Sequence, residues 1–183
     1  MTEIRRYAIL TPFARADLVA AIMHLSHLDA WAVPTNSGAL VVRELATPKY
    51  DEWDIRNITG PDPDEEPATP SDDAVAVAAQ LSRLSPYGVV LMDVNLDDSD
   101  TGFEAGVSGM VRARRFQGGK PGDDVPSGLL LNSLDPVVER LVLGDVTPEK
   151  SGGIHTTEVT GEQLERLRRG TNDVEQDGSD EAR

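Results

Sequence analysis

The chain has 183 residues, 39% hydrophobic and 4% aromatic, with a formal net charge of -15. Charge of that sign excludes a protein that holds nucleic acid or an anionic membrane by its overall field. There are no cysteines, which excludes disulfides, thiolate metal centres and a cysteine nucleophile. The core must therefore rest on Leu, Val, Ile and Ala. The opening MTEIRRYAIL lacks the apolar run of a signal peptide. No window approaches the roughly 20 apolar residues of a membrane span. Lysine occurs only at positions 49, 120 and 150, and arginine carries the remaining positive charge. The expected setting is the bacterial cytoplasm.

Arg5 to Leu10 (RRYAIL) has the content of a short strand. Thr11-Pro12 reads as a helix start, a capping hydroxyl followed by a fixed φ. Leu18, Ala21, Ile22, Leu25 and Leu28 then recur at steps of three and four, which predicts an amphipathic helix over 14–28. Ala30 to Val33 and Ala39 to Leu45 predict two strands joined by the hairpin loop Pro34 to Gly38. Burial in the second of these strands is expected to be partial. Tyr50 to Ile58 predicts an optional edge strand with Trp53 and Ile55 inward. Gly60 to Pro70 holds four prolines and four acids, and predicts an acidic surface loop.

Ser71 can cap a helix that carries Val75, Ala78, Ala79, Leu81 and Leu84 on one face, with Asp72 and Asp73 complementing its dipole. Pro86 and Gly88 stop it. Val89 to Met92 is a continuous apolar run, expected to be a strand covered on both sides. The order through Leu96 is thus βαββαβ. It predicts an α+β fold with a ferredoxin-like core, an antiparallel sheet with two helices on one face. Three segments follow: the core over 1–100, a partly helical, irregular extension over 101–169, and a disordered acidic tail over 170–183. Within the extension, glycines weaken any helix over Gly102 to Phe116, and Phe116 to Asp124 reads as loop. Leu129 to Leu131 is a short apolar run. Asp135-Pro136 starts a helix that Gly144 stops. Thr160-Gly-Glu-Gln163 makes a capping box for a helix through Arg169.

Three constellations carry possible chemistry. The first is acidic: Asp93, Asp97, Asp98, Asp100 and Glu104, at the expected end of a strand, where a divalent cation or a phosphoryl acceptor can sit. The text MDVNLDDSDTGFEA resembles the segment of bacterial receiver domains that bears the phosphorylated aspartate, over Val89 to Glu104. That resemblance implies an acceptor at Asp93 with Mg²⁺ beside it, and Ser133 and Lys150 as its later partners. The first strand ends Leu10-Thr11-Pro12, without the acidic pair such a domain uses to hold Mg²⁺. A solvated acidic loop accounts for the same residues. The second constellation is His24 and His27, spaced to share a metal, or else two solvated helix-terminal imidazoles. The third is the basic cluster Arg112, Arg114, Arg115 and Lys120, interleaved with Phe116 and Gly118-Gly119. A glycine loop flanked by arginine can hold a phosphate or an acidic peptide. A helix face paired with the chain's own acids is the plainer reading.

No nucleophile motif, phosphate loop or cofactor motif is present. The expected function is non-catalytic: an acidic protein-interaction or regulatory module with a protein partner, and no nucleic acid or membrane. The alternatives are a receiver-like or Mg²⁺-dependent switch centred on Asp93, and a small-ligand binder or enzyme with a pocket near Arg112–Arg115. Mg²⁺ enters under the first alternative alone.

Overall fold

A computed structural model of the chain describes residues 4–45, 51–59, 66–96 and 111–176. They form an α+β fold around one sheet. The strands are β1 (Ile4–Leu10), β2 (Trp31–Val33), β3 (Leu40–Leu45), β4 (Val89–Leu96), β5 (Val111–Gln117), β6 (Lys120–Val125) and β7 (Ile154–His155). Their order across the sheet is β6-β5-β4-β1-β3-β2-β7, and every neighbouring pair is antiparallel. The sheet is therefore wider than the four strands expected from the βαββαβ order, because the segment after Leu96 contributes β5, β6 and β7 to it.

The helices are α1 (Ala16–Leu25), the single turn α2 (Arg56–Thr59), α3 (Ala74–Ser82), α4 (Ser127–Ser133), α5 (Pro136–Leu143) and α6 (Gly161–Gln176). Period-two alternation along the strands sends consecutive residues to opposite faces. Tyr7, Ile9, Val41, Val89 and Leu91 pack with Val19 and Met23 of α1 and Val77, Ala78 and Leu81 of α3. Leu164 and Leu167 of α6 close the edge of that layer. Ala8, Leu40, Val42, Met92 and Val94 face the other way, onto Leu131 of α4 and Val138, Leu141 and Val142 of α5. The two helices expected over the core, α1 and α3, do share one face; the later segment adds α4 and α5, which cover the other. Each fully buried Val, Leu or Met contributes about 1.5–3 kcal/mol by leaving water, which is how a core with few aromatics holds. Among the described residues, no helix is long and apolar enough to cross a membrane.

Local chemistry explains the other differences. The first helix does not start at Thr11-Pro12, because Thr11 is tied to the sheet. Its backbone N–H and its hydroxyl both donate to the Ala39 carbonyl, at 3.1 and 2.7 Å. The helix begins at Ala16 and buries Val19, Ala20, Ala21 and Met23, leaving Leu25 65% exposed. Burial along β3 is partial, as expected: Leu40, Val41 and Val42 are buried, Arg43 and Leu45 half-buried and Glu44 exposed. Asp73, not Ser71, caps α3, accepting from the Ala76 N–H at 2.9 Å. The Ser71 hydroxyl accepts from the Asp29 N–H instead. Val75 and Leu84 lie outside the buried face of α3.

Of the expected edge strand over Tyr50 to Ile58, Tyr50 lies outside the described residues and the rest is a turn leading into α2, with Trp53 94% and Ile55 69% exposed. The segment read as a loop, Phe116 to Asp124, is a β-hairpin turning on Gly118 and Gly119, both at positive φ. Leu129–Leu131 lie in α4. The helix α6 continues past Arg169 to Gln176, through part of the stretch read as disordered tail. Residues 60–65 of the acidic loop and 177–183 of the tail lie outside the described residues.

Candidate functional site

β4 and β5 pair in register, Asp93 opposite Arg112 and Leu91 opposite Arg114. Val111 and Ala113 are buried toward α4 and α5, so alternation puts Arg112 and Arg114 on the opposite face, with Phe116. The four-residue basic cluster of the sequence is thereby divided. Arg112 and Arg114 share the face of α1 and α3. Arg115 is exposed on the other face, and Lys120 sits at the hairpin turn. The glycine turn is not an open anion cradle. The Gly118 N–H donates to the Ser82 carbonyl at 3.3 Å and the Gly119 N–H to the Ser82 hydroxyl at 2.8 Å, docking the hairpin tip on the end of α3.

One row crosses the sheet on this face: Arg43 of β3, Tyr7 of β1, Asp93 of β4 and Arg112 of β5, each opposite the next. Its first half lies under the start of α3 and is satisfied. Arg43 donates to the Asp72 carboxylate at 2.8 Å and to the Asp29 carbonyl at 2.6 Å. The Tyr7 hydroxyl donates to the Ser71 carbonyl at 2.6 Å. Burial pushes the Tyr7 phenol well above its ordinary range; Arg43 opposes that shift, and Asp72 and Asp73 add to it.

The second half of the row is open. Asp93 and Arg112 are exposed, and neither forms an ion pair among the described residues. They stand in a groove of about 870 Å³, within the size range of ligand sites. Leu91 and Phe116 line its apolar part. Val75 (55% exposed) and Leu129 (73% exposed) bring large apolar side chains to it. Arg114 is held by Asp124 at 2.7 Å. That hydrogen bond draws the Asp124 carboxyl below its usual range, with Arg112 a weaker contributor. Arg112 is thus, among the described residues, a cation of the groove without a carboxylate at ion-pair distance.

Asp93 lies within the body of β4, not at its end, and its neighbours in register are Tyr7 and Arg112. Asp97, Asp98, Asp100 and Glu104 lie outside the described residues. Among the described residues, no group of three acidic or histidine side chains is placed to hold a metal ion. Of the two histidines expected on the first helix, His24 lies in α1 and His27 two residues past its end. His24 Nδ1 is 2.8 Å from the Thr156 carbonyl, an acceptor, so that nitrogen carries the proton. His27 has φ 57. Two smaller clefts, of about 280 and 300 Å³, hold paired charges: Arg15 with Asp17 and Arg166 with Glu162 in one, Arg43 with Asp72 and Glu44 with Arg6 in the other, beside Glu149.

Sequence reasoning missed Arg6. It is 4% exposed, beneath the C-terminal end of α5, donating to the Leu141 carbonyl at 3.1 Å and to Glu44 at 3.2 Å. Its spacing to Ala8 and Leu10 was the available signal, since residues two apart share a face. No family model, no curated protein and no solved structure matches this chain.

Proposed function

We propose that the protein is a non-catalytic interaction module, and that the groove over β4 and β5 receives an extended segment of a protein partner. The observation that carries this reading is Arg112, an exposed cation without a salt bridge among the described residues, set beside the exposed apolar side chains of Val75 and Leu129. Apolar anchoring beside one charge-assisted contact is a usual way to hold a peptide. The matching segment carries a large apolar side chain next to a carboxylate. Arg115 and Lys120 lie away from that surface and are left out of the site.

We also propose that residues 4–96 form a ferredoxin-like unit onto which the later strands are added. The run β4-β1-β3-β2 and the sharing of one face by α1 and α3 support this. A bacterial cytoplasmic setting, without nucleic acid or membrane as partner, is supported by arginine in place of lysine amid much Ala, Val, Asp and Gly, by the charge of -15 and by the lack of cysteine. The Mg²⁺-dependent alternative at Asp93 has less support, since both of its register neighbours are non-acidic.

Selection from a displayed peptide library tests the groove. Enriched peptides are expected to pair an aromatic or branched apolar residue with an acid, and to lose at least tenfold in affinity on the Arg112→Glu chain. Enrichment that ignores Arg112→Glu, or no enrichment at all, overturns the reading.

A further inference from the structure

The segment Asp51–Thr59 presents Trp53, Ile55 and Ile58 to solvent, at 94%, 69% and 89% exposure. It is ordered by its own hydrogen bonds. The Asp54 carboxylate accepts from the Arg56 N–H at 2.9 Å and from the Arg56 guanidinium at 2.6 Å. These contacts draw the Asp54 carboxyl down to about 2. The Asp54 N–H donates to the Asp51 carbonyl, and the Ile58 N–H to the Ile55 carbonyl. A turn prefolded in this way loses little conformational freedom on docking. Its apolar side chains have no cover among the described residues, and an exposed cluster of that kind marks a contact surface.

We propose that Trp53 and Ile55 of one copy fill the groove of a second copy, so that the chain is its own partner. The inference rests on the groove reading above and names the occupant. Three features select it. The groove offers the exposed Val75 and Leu129 to an apolar side chain, over a floor closed by the buried Leu91 and Phe116, and its volume exceeds what one tryptophan and one isoleucine need. The exposed Glu52 precedes Trp53 and supplies the carboxylate that Arg112 lacks. Trp53 is too exposed to lie in its own groove, so the donor is another molecule. Reciprocal exchange closes the pair by twofold symmetry, with the same two surfaces used on each side. A tryptophan buries about 150–250 Å². Two such insertions make a small interface, which gives a dissociation constant on the order of micromolar.

Sedimentation velocity at about 1 to 300 μM brackets that affinity. The mass is expected to rise with concentration from 19.7 kDa toward twice that value. Trp53→Ala and Arg112→Glu each weaken the dimer at least tenfold, with Ile55→Ala as a second test of the arm. All three sites are exposed, and circular dichroism verifies the fold. Mixing the Trp53→Ala chain with the Arg112→Glu chain restores a heterodimer through one intact arm and one intact groove. Combining Glu52→Arg with Arg112→Glu restores the dimer by exchanging the charges. A wild-type chain that stays monomeric throughout, or a dimer that all three single variants leave unchanged, overturns the proposal. Library selection run on the Trp53→Ala chain separates the two readings. Enrichment there, with a monomeric wild type, removes self-association and leaves the groove. A Trp53-dependent dimer without enrichment leaves self-association and removes the wider peptide partner.

Discussion

Arg6 and Tyr7 are consecutive on β1, yet they meet different helical layers. Arg6 points toward α5 and donates to a carbonyl in its last turn. Tyr7 points toward α3 and donates to the Ser71 carbonyl just ahead of it. The guanidinium lies at the negative end of a helix dipole, where a cation is favoured, but its Nε has no partner. The phenol is neutral and its one proton is used. A third polar residue completes the comparison. Arg112 shares the face of Tyr7, but there the apolar contacts of α3 run to Leu91 and Phe116, and Arg112 is left in the open groove. Where both layers cover the sheet, polar groups are fixed by backbone. Where one layer ends, a charge stays available to a ligand.

The largest effect is expected from Arg6→Ala. It removes a buried side chain and leaves the Leu141 carbonyl without its donor, at a cost of about 3 kcal/mol. A urea unfolding midpoint measures it. A cost below that of Tyr7→Phe would show that the guanidinium is no anchor for the α5 layer. Gly144→Ala attacks the same contact from the other side. Gly144 has φ +83, and an added Cβ would collide with the Arg6 guanidinium. Strain in the left-handed region and displacement of a buried charge give about 2 kcal/mol. If Arg6→Ala and Gly144→Ala cost less together than the sum of the two alone, the coupling between them is direct.

Arg6 and Arg112 also show what the chain reveals before folding. Cap and turn chemistry was legible in part, failing at Thr11-Pro12 and Ser71 and holding further along. Asp135-Pro136 and Gly144 bound α5 as expected, the Asp135 carboxylate accepting from the Val137 N–H. Thr160 and Gln163 form their reciprocal capping pair ahead of α6. The loop Pro34 to Gly38 joins β2 to β3 as predicted. The hairpin of β5 and β6 was not read, though Gly118-Gly119 is a two-residue turn signal. Two facts hid it. Val111 and Ala113 alternate with arginines, but the irregularity between Arg114 and Phe116 breaks the pattern. Lys120 to Asp124 has no strand propensity of its own, so pairing with β5 decides its state. The groove was beyond reach for the same reason: it exists because β5 joins β4, and an irregular extension has no groove.

Tyr7→Phe sharpens the contrast with Arg6 through pH. The substitution deletes a hydroxyl bonded to a carbonyl of the buried Ser71, costing about 1 kcal/mol at neutral pH. Because the phenol is raised in the folded state, it holds its proton where the unfolded chain, with a pKa of about 10, has released it. Its contribution is therefore fully present below about pH 10 and is lost as pH climbs above that value. Wild type should lose stability steeply in that alkaline range, and Tyr7→Phe should lose it less steeply. Parallel slopes would mean that the phenol ionises without regard to the α3 layer.

Arg112→Glu is the smallest perturbation of the fold and the most informative about the groove. The side chain is exposed and makes no ion pair among the described residues. Reversing its charge should move the melting temperature by no more than about 2 °C. It places a third carboxylate beside Asp93 and Asp124, so the direction is downward, and added salt should recover the loss by screening. A drop as large as that of Gly144→Ala would mean that Arg112 holds the sheet together as Arg6 does. A negligible drop with lost binding separates the two arginines by their surroundings, one enclosed by a helix layer and one left facing a groove.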